Sequence, residues 1–118
     1  MKAASDPLAH GIKLFNCQAF FECHEVLEDL WRPTHGQRRL FLQGLIHLAV
    51  GFYHQQRANP TGAERQLRKG LKKLAGYLPE FDGVDTARLS REARACLETI
   101  ASGCGPERFP EIHHSSVR

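Results

Sequence analysis

The segment GQRRLFLQGLIHLAVGFYHQQRA, residues 36–58, decides the fold predicted for this chain. Apolar side chains would lie on nearly every side of a helix formed by these residues, which is typical of a helix at the centre of a bundle. Gly44 and Gly51 stand one heptad apart inside it. Because glycine lowers helix stability on a free surface, we predict that both allow the close approach of a neighbouring helix.

Four further helices are predicted on either side of this long one, from apolar residues at helical spacing and from capping signals. Asp6-Pro7 and Asn59-Pro60 each combine an N-cap acceptor with proline at the first helical position, and Asp85 or Thr86 can cap the last helix. The predicted helices cover about residues 6–16, 18–31, 59–78 and 85–100.

The chain shows no internal repeat and no alternating strand pattern, so we predict an all-α fold. The expected architecture is a compact bundle or array of about five antiparallel helices in one domain over residues 1–118. Its core covers about residues 6–101, and residues 102–118 form a loosely structured tail. The side chains predicted to be largely buried are Phe20, Leu27, Trp31, Leu45, Leu48, Phe52, Leu67, Leu71 and Leu74.

Composition and charge argue against two classes of protein, those that span a membrane and those that bind nucleic acid. The chain of 118 residues is 25% charged and has no long apolar run without charge, so we predict no membrane span. A net charge of +3 is too small to indicate nucleic-acid binding, and the basic residues of the predicted fourth helix fit a solvated face. The N-terminal residues lack the apolar segment of a secretion signal, so we expect a cytoplasmic protein whose four cysteines are free thiols.

The predicted second helix carries the strongest candidate site, in the segment FFECHEVLEDLW, residues 20–31. His24 and Glu28 are four residues apart on the face that also carries Phe20, Leu27 and Trp31. An imidazole and a carboxylate on an apolar face need hydrogen-bond, ionic or metal partners.

Polar residues along one side of the long helix are the best available partners for this pair: Gln43, His47 and His54. If the two helices pack antiparallel, His24 faces the second half of the long helix. We therefore predict that His47 is the third site residue, with His54 as the other option.

The spacing His24-x-x-x-Glu28-x-x-Trp31 resembles the HxxxExxW signature of a bacterial and archaeal family, domain of unknown function 309. The similarity extends over roughly residues 9–80, through Phe20-Phe21-Glu22, Gln43-Gly44-Leu45-Ile46 and Tyr53-His54 to Asn59-Pro60-x-Gly62-Ala63. The resemblance implies a compact array of about five helices. It also implies a metal-binding role for His24 and Glu28 with Trp31 as an aromatic flank, and it implies no enzyme activity.

The residues themselves leave several interpretations of this site open. His24 and Glu28 can form a structural pair that sets the packing of two helices, in a module without catalytic activity. With His47 they can instead bind zinc, iron or manganese, since bundle cores build such sites from His and Glu. Acid-base chemistry by the metal-free pair and binding of a small molecule are the remaining alternatives. The partner is thus an unidentified small molecule or protein, and the sequence does not indicate an oligomeric state.

Overall fold

The computed structural model describes residues 6–115, and these confirm the predicted all-α fold. They form five α-helices, and a single 3-10 turn, Ala75–Tyr77, continues the fourth. The only β-pairing in this part of the chain is two isolated bridges, Phe81–Val84 and Val84–His114. No helix among the described residues has the length and apolar character needed to cross a membrane. The helices are α1 (Pro7–Asn16), α2 (Phe20–Trp31), α3 (Gln37–Gln56), α4 (Pro60–Leu74) and α5 (Thr86–Ala101).

The predicted helix starts are confirmed where a side chain caps the helix. The carboxylate of Asp6 and the amide oxygen of Asn59 each accept a hydrogen bond from a backbone N–H in the first turn, and proline follows each of them. Asp85 caps α5 in the same way, which decides between the two caps that the sequence allowed there. These caps satisfy N–H groups that have no partner inside the helix.

Three predicted boundaries were wrong by a few residues. The second helix begins at Phe20, and the third ends at Gln56. Gln18 and Ala58, which the prediction had included in those helices, have positive φ angles of 64° and 59°, in the left-handed region that a right-handed helix excludes. The fourth helix ends at Leu74 and tightens into the 3-10 turn, and Leu78 before the proline has the extended backbone that proline favours in the preceding residue.

The helices form an array in chain order, with α3 between α2 and α4, α1 against α2, and α5 against α4. The amide of Gln56, at the end of α3, donates a hydrogen bond to the carbonyl of Gln18 just before α2. At the opposite end Arg39 of α3 donates to the carbonyl of Trp31. These two contacts mean that α2 and α3 run in opposite directions, which brings the candidate site on α2 beside α3.

The close approach predicted at Gly44 and Gly51 is confirmed, and the neighbour is α4. A Cβ atom at Gly44 would lie 2.9 Å from Leu74 Cγ, and one at Gly51 would lie 2.8 Å from Leu67 Cγ. Gly70 on α4 supplies the matching space, since the side chain of Leu48 lies over it. The long central helix is thus held close to α4 by leucines that pack over glycines.

Eight of the nine predicted core residues are buried, and the exception is Trp31, which is half-buried. An aromatic cluster of Phe15, Phe20, Phe52 and Phe109 lies between α1, α2, α3 and the C-terminal segment. Its ring centroids are 5.1 to 6.0 Å apart, in mostly edge-to-face arrangements that favour aromatic pairs.

The C-terminal segment, predicted to be a loosely structured tail, makes specific contacts with the rest of the fold as far as residue 115. The side-chain amide of Asn16 exchanges two hydrogen bonds with the backbone of Ile112, at 2.9 and 2.7 Å, and Ile112 is buried. Phe109 packs on the aromatic cluster, and the N–H of Ser115 donates to the carbonyl of Gly83. These contacts tie a segment without helical periodicity to the core. The last three residues of the predicted tail, 116–118, lie outside the described part of the chain.

Candidate functional site

His24 and Glu28 are in contact on α2. The imidazole Nε2 lies 3.4 Å from a carboxylate oxygen of Glu28, and the two side chains are 23% and 37% exposed. The pair is therefore half-buried at the surface rather than enclosed in the core. Arg32, one helical turn further, lies 3.5 Å from the other oxygen of Glu28 and 2.6 Å from Asp29.

Aromatic side chains flank the pair where α2 meets α3. The ring of Phe21 lies 5.6 Å from that of His24 and 5.3 Å from that of Tyr53 on α3. Phe21 is 43% exposed, which is unusual for so large an apolar side chain. The candidate site therefore lies at the surface seam between α2 and α3, where an apolar ring and a polar pair are both accessible to a partner.

Trp31 makes a cation–π contact with Arg39 that was not predicted from the sequence. The guanidinium of Arg39 lies 3.9 Å from the centre of the Trp31 ring. Its Nη1 also donates to the carbonyls of Trp31 and Thr34, both at 3.0 Å. A cation at this end of α2 is favoured by the helix dipole. Arg39 thus joins the end of α2 to the start of α3. The sequence signal for this contact was an arginine near the start of one helix and an aromatic residue near the end of the helix before it.

The contact between Trp31 and Arg39 gives a testable coupling. We expect a double-mutant cycle of Trp31→Ala and Arg39→Ala to yield about 1 kcal/mol, as for a partly desolvated cation on an aromatic face. Urea unfolding of the four proteins measures it. Arg38→Ala is the matched control, because the neighbouring arginine pairs with Asp82 instead. Additive effects in the Trp31–Arg39 cycle would contradict a stabilising role for this contact.

The other predicted site residues lie on α3, and two of them contact side chains of α4 or of its N-cap. His47 Nδ1 is 2.7 Å from the amide oxygen of Gln66 on α4, and His54 Nδ1 is 3.3 Å from the side-chain amide of Asn59. Gln43 is half-buried. Over residues 6–115, no group of three or more His, Cys, Asp or Glu side chains is placed to hold a metal ion. The structure therefore brings His24 to Glu28 but does not add His47 to them as a third ligand.

His47 has a perturbed environment. Burial lowers its pKa from the usual 6.5, the hydrogen bond with Gln66 partly opposes this shift, and the charges of Lys73 and Lys69 add to it. A histidine whose pKa is lower in the folded state than in the unfolded state makes its full contribution to the free energy of unfolding above its unfolded-state pKa of about 6.5. This contribution is lost as the pH falls through the lowered pKa.

We therefore expect the free energy of unfolding to decrease more steeply between about pH 7 and pH 5 in the wild type than in His47→Gln. Glutamine keeps a polar group opposite Gln66 without a titratable ring. Urea unfolding at a series of pH values measures this difference, and identical pH profiles for the two proteins would show that His47 does not contribute.

The cysteine beside the site does not extend it. Burial raises the pKa of the Cys23 thiol to about 12, so it stays protonated at neutral pH and is a poor nucleophile. Cys23 points into the core while its neighbour His24 lies at the surface. Adjacent residues of a helix point about 100° apart, so Cys23 and His24 do not form a nucleophile and base.

The His24–Glu28 pair and the candidate residues of α3 lie where α2, α3 and α4 meet at the surface, and we call this surface the three-helix face. The contact of Phe21 with Tyr53 defines one side of it, and the contact of His47 with Gln66 defines the other. Its members are Phe21, His24 and Glu28 on α2, Leu40, Gln43, His47, Val50 and His54 on α3, and Gln66, Lys69 and Lys73 on α4.

Comparison with known proteins identifies the family of this chain. Residues 8–66, which form α1, α2, α3 and the first part of α4, match the domain of unknown function DUF309. The chain belongs to the DUF309 family. The matched segment of this DUF309 domain contains the His24–Glu28 pair and most of the three-helix face, whereas α5 and the C-terminal segment lie beyond it.

Two relatives are longer than this DUF309 domain. The chain is 34% identical over 85 residues to an uncharacterised Bacillus subtilis (strain 168) protein, YpuF, with 69% of this chain and 48% of YpuF aligned. It is 23% identical over 94 residues to an uncharacterised protein of Aquifex aeolicus (strain VF5), with 79% of this chain and 28% of that protein aligned. The chain thus spans less than half the length of these curated relatives.

Proposed function

We propose that this DUF309 domain is a non-catalytic interaction module and that the three-helix face is its binding surface. The observation that carries the proposal is the composition of this face. It places the half-exposed His24–Glu28 pair beside Phe21, which is 43% exposed, on a surface that also carries Leu40, which is 51% exposed. Exposed apolar groups among polar ones are typical of surfaces that bind other proteins.

The occurrence of the domain in longer relatives supports the same function. A module that occupies 48% of one relative and 28% of another is attached to further chain in both. A binding surface on the domain would serve such proteins without a reaction centre. The His24–Glu28 pair would then contribute hydrogen-bonding groups to the contact, rather than general acid-base chemistry.

Site-specific photo-crosslinking in cells tests this function. A photoreactive phenylalanine analogue at position 21 or position 50 is expected to yield covalent adducts, since both positions lie on the three-helix face. The control is the same analogue at Arg91, an exposed residue of α5 on another side of the array. Adduct formation at Arg91 alone, or none at positions 21 and 50, would contradict the assignment of the binding surface.

Metal binding by His24 and Glu28 is the second candidate function, and the observation in its favour is the convergence of Nε2 and a carboxylate oxygen at 3.4 Å. These groups suit zinc, iron or manganese, and water would complete the coordination. Metal analysis of untagged protein after supplementation tests it. His24→Ala and Glu28→Ala are each expected to abolish binding, while the exposed histidine variant His10→Ala retains it. Wild-type protein that stays metal-free would contradict this second function and leave the metal-free alternatives.

A further inference from the structure

The two helices that flank α3 carry opposite charge. Helix α2 has four carboxylates and neither lysine nor arginine, and the carboxylates belong to Glu22, Glu25, Glu28 and Asp29. Helix α4 has five basic residues and one acidic residue, and the basic ones are Arg65, Arg68, Lys69, Lys72 and Lys73. Of these charged residues, Glu28 on α2 and Lys69 and Lys73 on α4 belong to the three-helix face, so its two edges carry opposite charge.

Between these edges, α3 presents a stripe of side chains that remain partly accessible. Its members follow helical spacing at positions 40, 43, 47, 50 and 54 and are half-buried or exposed. Leu40 lies near one end of the stripe, and Phe21 lies beside the other end through its contact with Tyr53. The stripe is mostly uncharged, so two such surfaces can meet without burying many ions.

From this charge distribution we propose that a second copy of this chain binds the three-helix face, forming a two-fold symmetric dimer. The proposal rests on the interaction function proposed above and specifies the partner. A two-fold axis parallel to α3 places the acidic α2 of each copy opposite the basic α4 of the other. An axis perpendicular to α3 would instead place like charges together, which is unfavourable.

The size of the face suits such a dimer. A 20-residue helix is about 30 Å long, and neighbouring helices lie about 8–10 Å apart. Three adjacent helices, the outer two of 12 and 15 residues, therefore offer a surface of at most about 600 Å², at the lower end of what each partner buries in a stable complex.

This arrangement pairs particular charges across the interface. Because α2 and α4 both run antiparallel to α3, Glu28 and Lys69 lie at a similar height along the central helix. The axis parallel to α3 preserves that height, so Glu28 of one copy lies opposite Lys69 of the other. Each stripe residue of α3 lies opposite its own counterpart.

Charge reversal combined with mixing tests the dimer. We expect Glu28→Lys and Lys69→Glu each to raise the dimer dissociation constant at least about tenfold, because each homodimer then places like charges together twice. An equimolar mixture of the two variants is expected to form a heterodimer with nearly wild-type affinity, since both contacts become opposite again. Sedimentation equilibrium measures all three samples, circular dichroism checks their fold, and Glu98→Lys on the exposed side of α5 is the matched control.

Two results would overturn the dimer. One is wild-type protein that sediments as a monomer at about 100 μM, a concentration well above micromolar dissociation constants. The other is a dimer that both reversals leave unchanged, which would place the interface on another surface. Crosslinks from position 21 to a different protein, together with monomeric sedimentation, would reject the second copy while supporting the interaction function. Absence of any crosslink at the face would count against both.

Discussion

Replacing Phe52 by alanine is expected to lower the free energy of unfolding by about 3–5 kcal/mol. Phe52 is fully buried, and its ring lies 5.4 to 6.0 Å from those of Phe15, Phe20 and Phe109. Three parts of the fold meet at this ring: the α1–α2 pair, α3 and the C-terminal segment. Truncation leaves a cavity that none of them can fill alone.

Urea unfolding measures the effect of Phe52→Ala, and Phe52→Leu is the graded control. Leucine keeps most of the apolar volume, so its cost is expected to be less than half that of alanine. If Phe52→Ala unfolded within about 1 kcal/mol of the wild type, the aromatic cluster would not be the main packing centre.

Replacing Gly70 is expected to have the second largest effect. A Cβ atom there would lie 2.9 Å from the carbonyl oxygen of Gly44 and 2.8 Å from the side chain of Leu48. Because the first of these is a backbone atom, α3 and α4 must move apart. Gly70→Ala is expected to cost about 1–3 kcal/mol even though alanine raises helix propensity by nearly 1 kcal/mol. Gly70→Val is expected to reach or exceed the upper end of this range.

Gly76→Ala is the matched control for Gly70. A Cβ atom at Gly76 would have no neighbour within 4 Å. We expect its stability to equal or slightly exceed that of the wild type, because alanine reduces the entropy of the unfolded chain. Equal effects at positions 70 and 76 in thermal or urea unfolding would contradict the close contact of α3 with α4.

The variants at Phe52 and Gly70 also make it possible to separate effects on folding from effects on binding. Phe52 and Gly70 are buried, so neither is directly available to a partner at the three-helix face. Glu28 and Lys69 lie on that face, so reversing them is expected to change association with little effect on stability. A variant that loses both properties together would show that folding and association are coupled in this domain.

The helices and most of the core could be predicted from single residues and their spacing. Asp6, Asn59 and Asp85 cap the helices they were expected to cap, since a capping side chain acts on backbone groups only two or three residues away. Gly44 and Gly51 indicated a close neighbour before that neighbour could be named. The boundaries at Gln18 and Ala58 were missed because residues other than glycine rarely adopt a positive φ angle.

The candidate site was predictable only in part. The contact of His24 with Glu28 follows from their spacing on one helix, since residues four apart lie on the same side. The partners contributed by other helices did not follow. His47 was expected to join His24, but its hydrogen bond is with Gln66 on α4. Successive residues of an α-helix are rotated by about 100° about its axis. A small rotation of α3 about its own axis therefore decides whether a side chain such as His47 meets α2 or α4.

By itself, the sequence determined that this chain forms five helices around an apolar core and that His24 and Glu28 meet on the second of them. Only the tertiary structure decided that Arg39 stacks on Trp31, that His47 faces Gln66, and that the tail is held at Ile112. The reason is the separation along the sequence of the residues that interact. Helix spacing and caps depend on residues within a few positions of each other, whereas Asn16 and Ile112 are 96 positions apart and meet only after the array has packed.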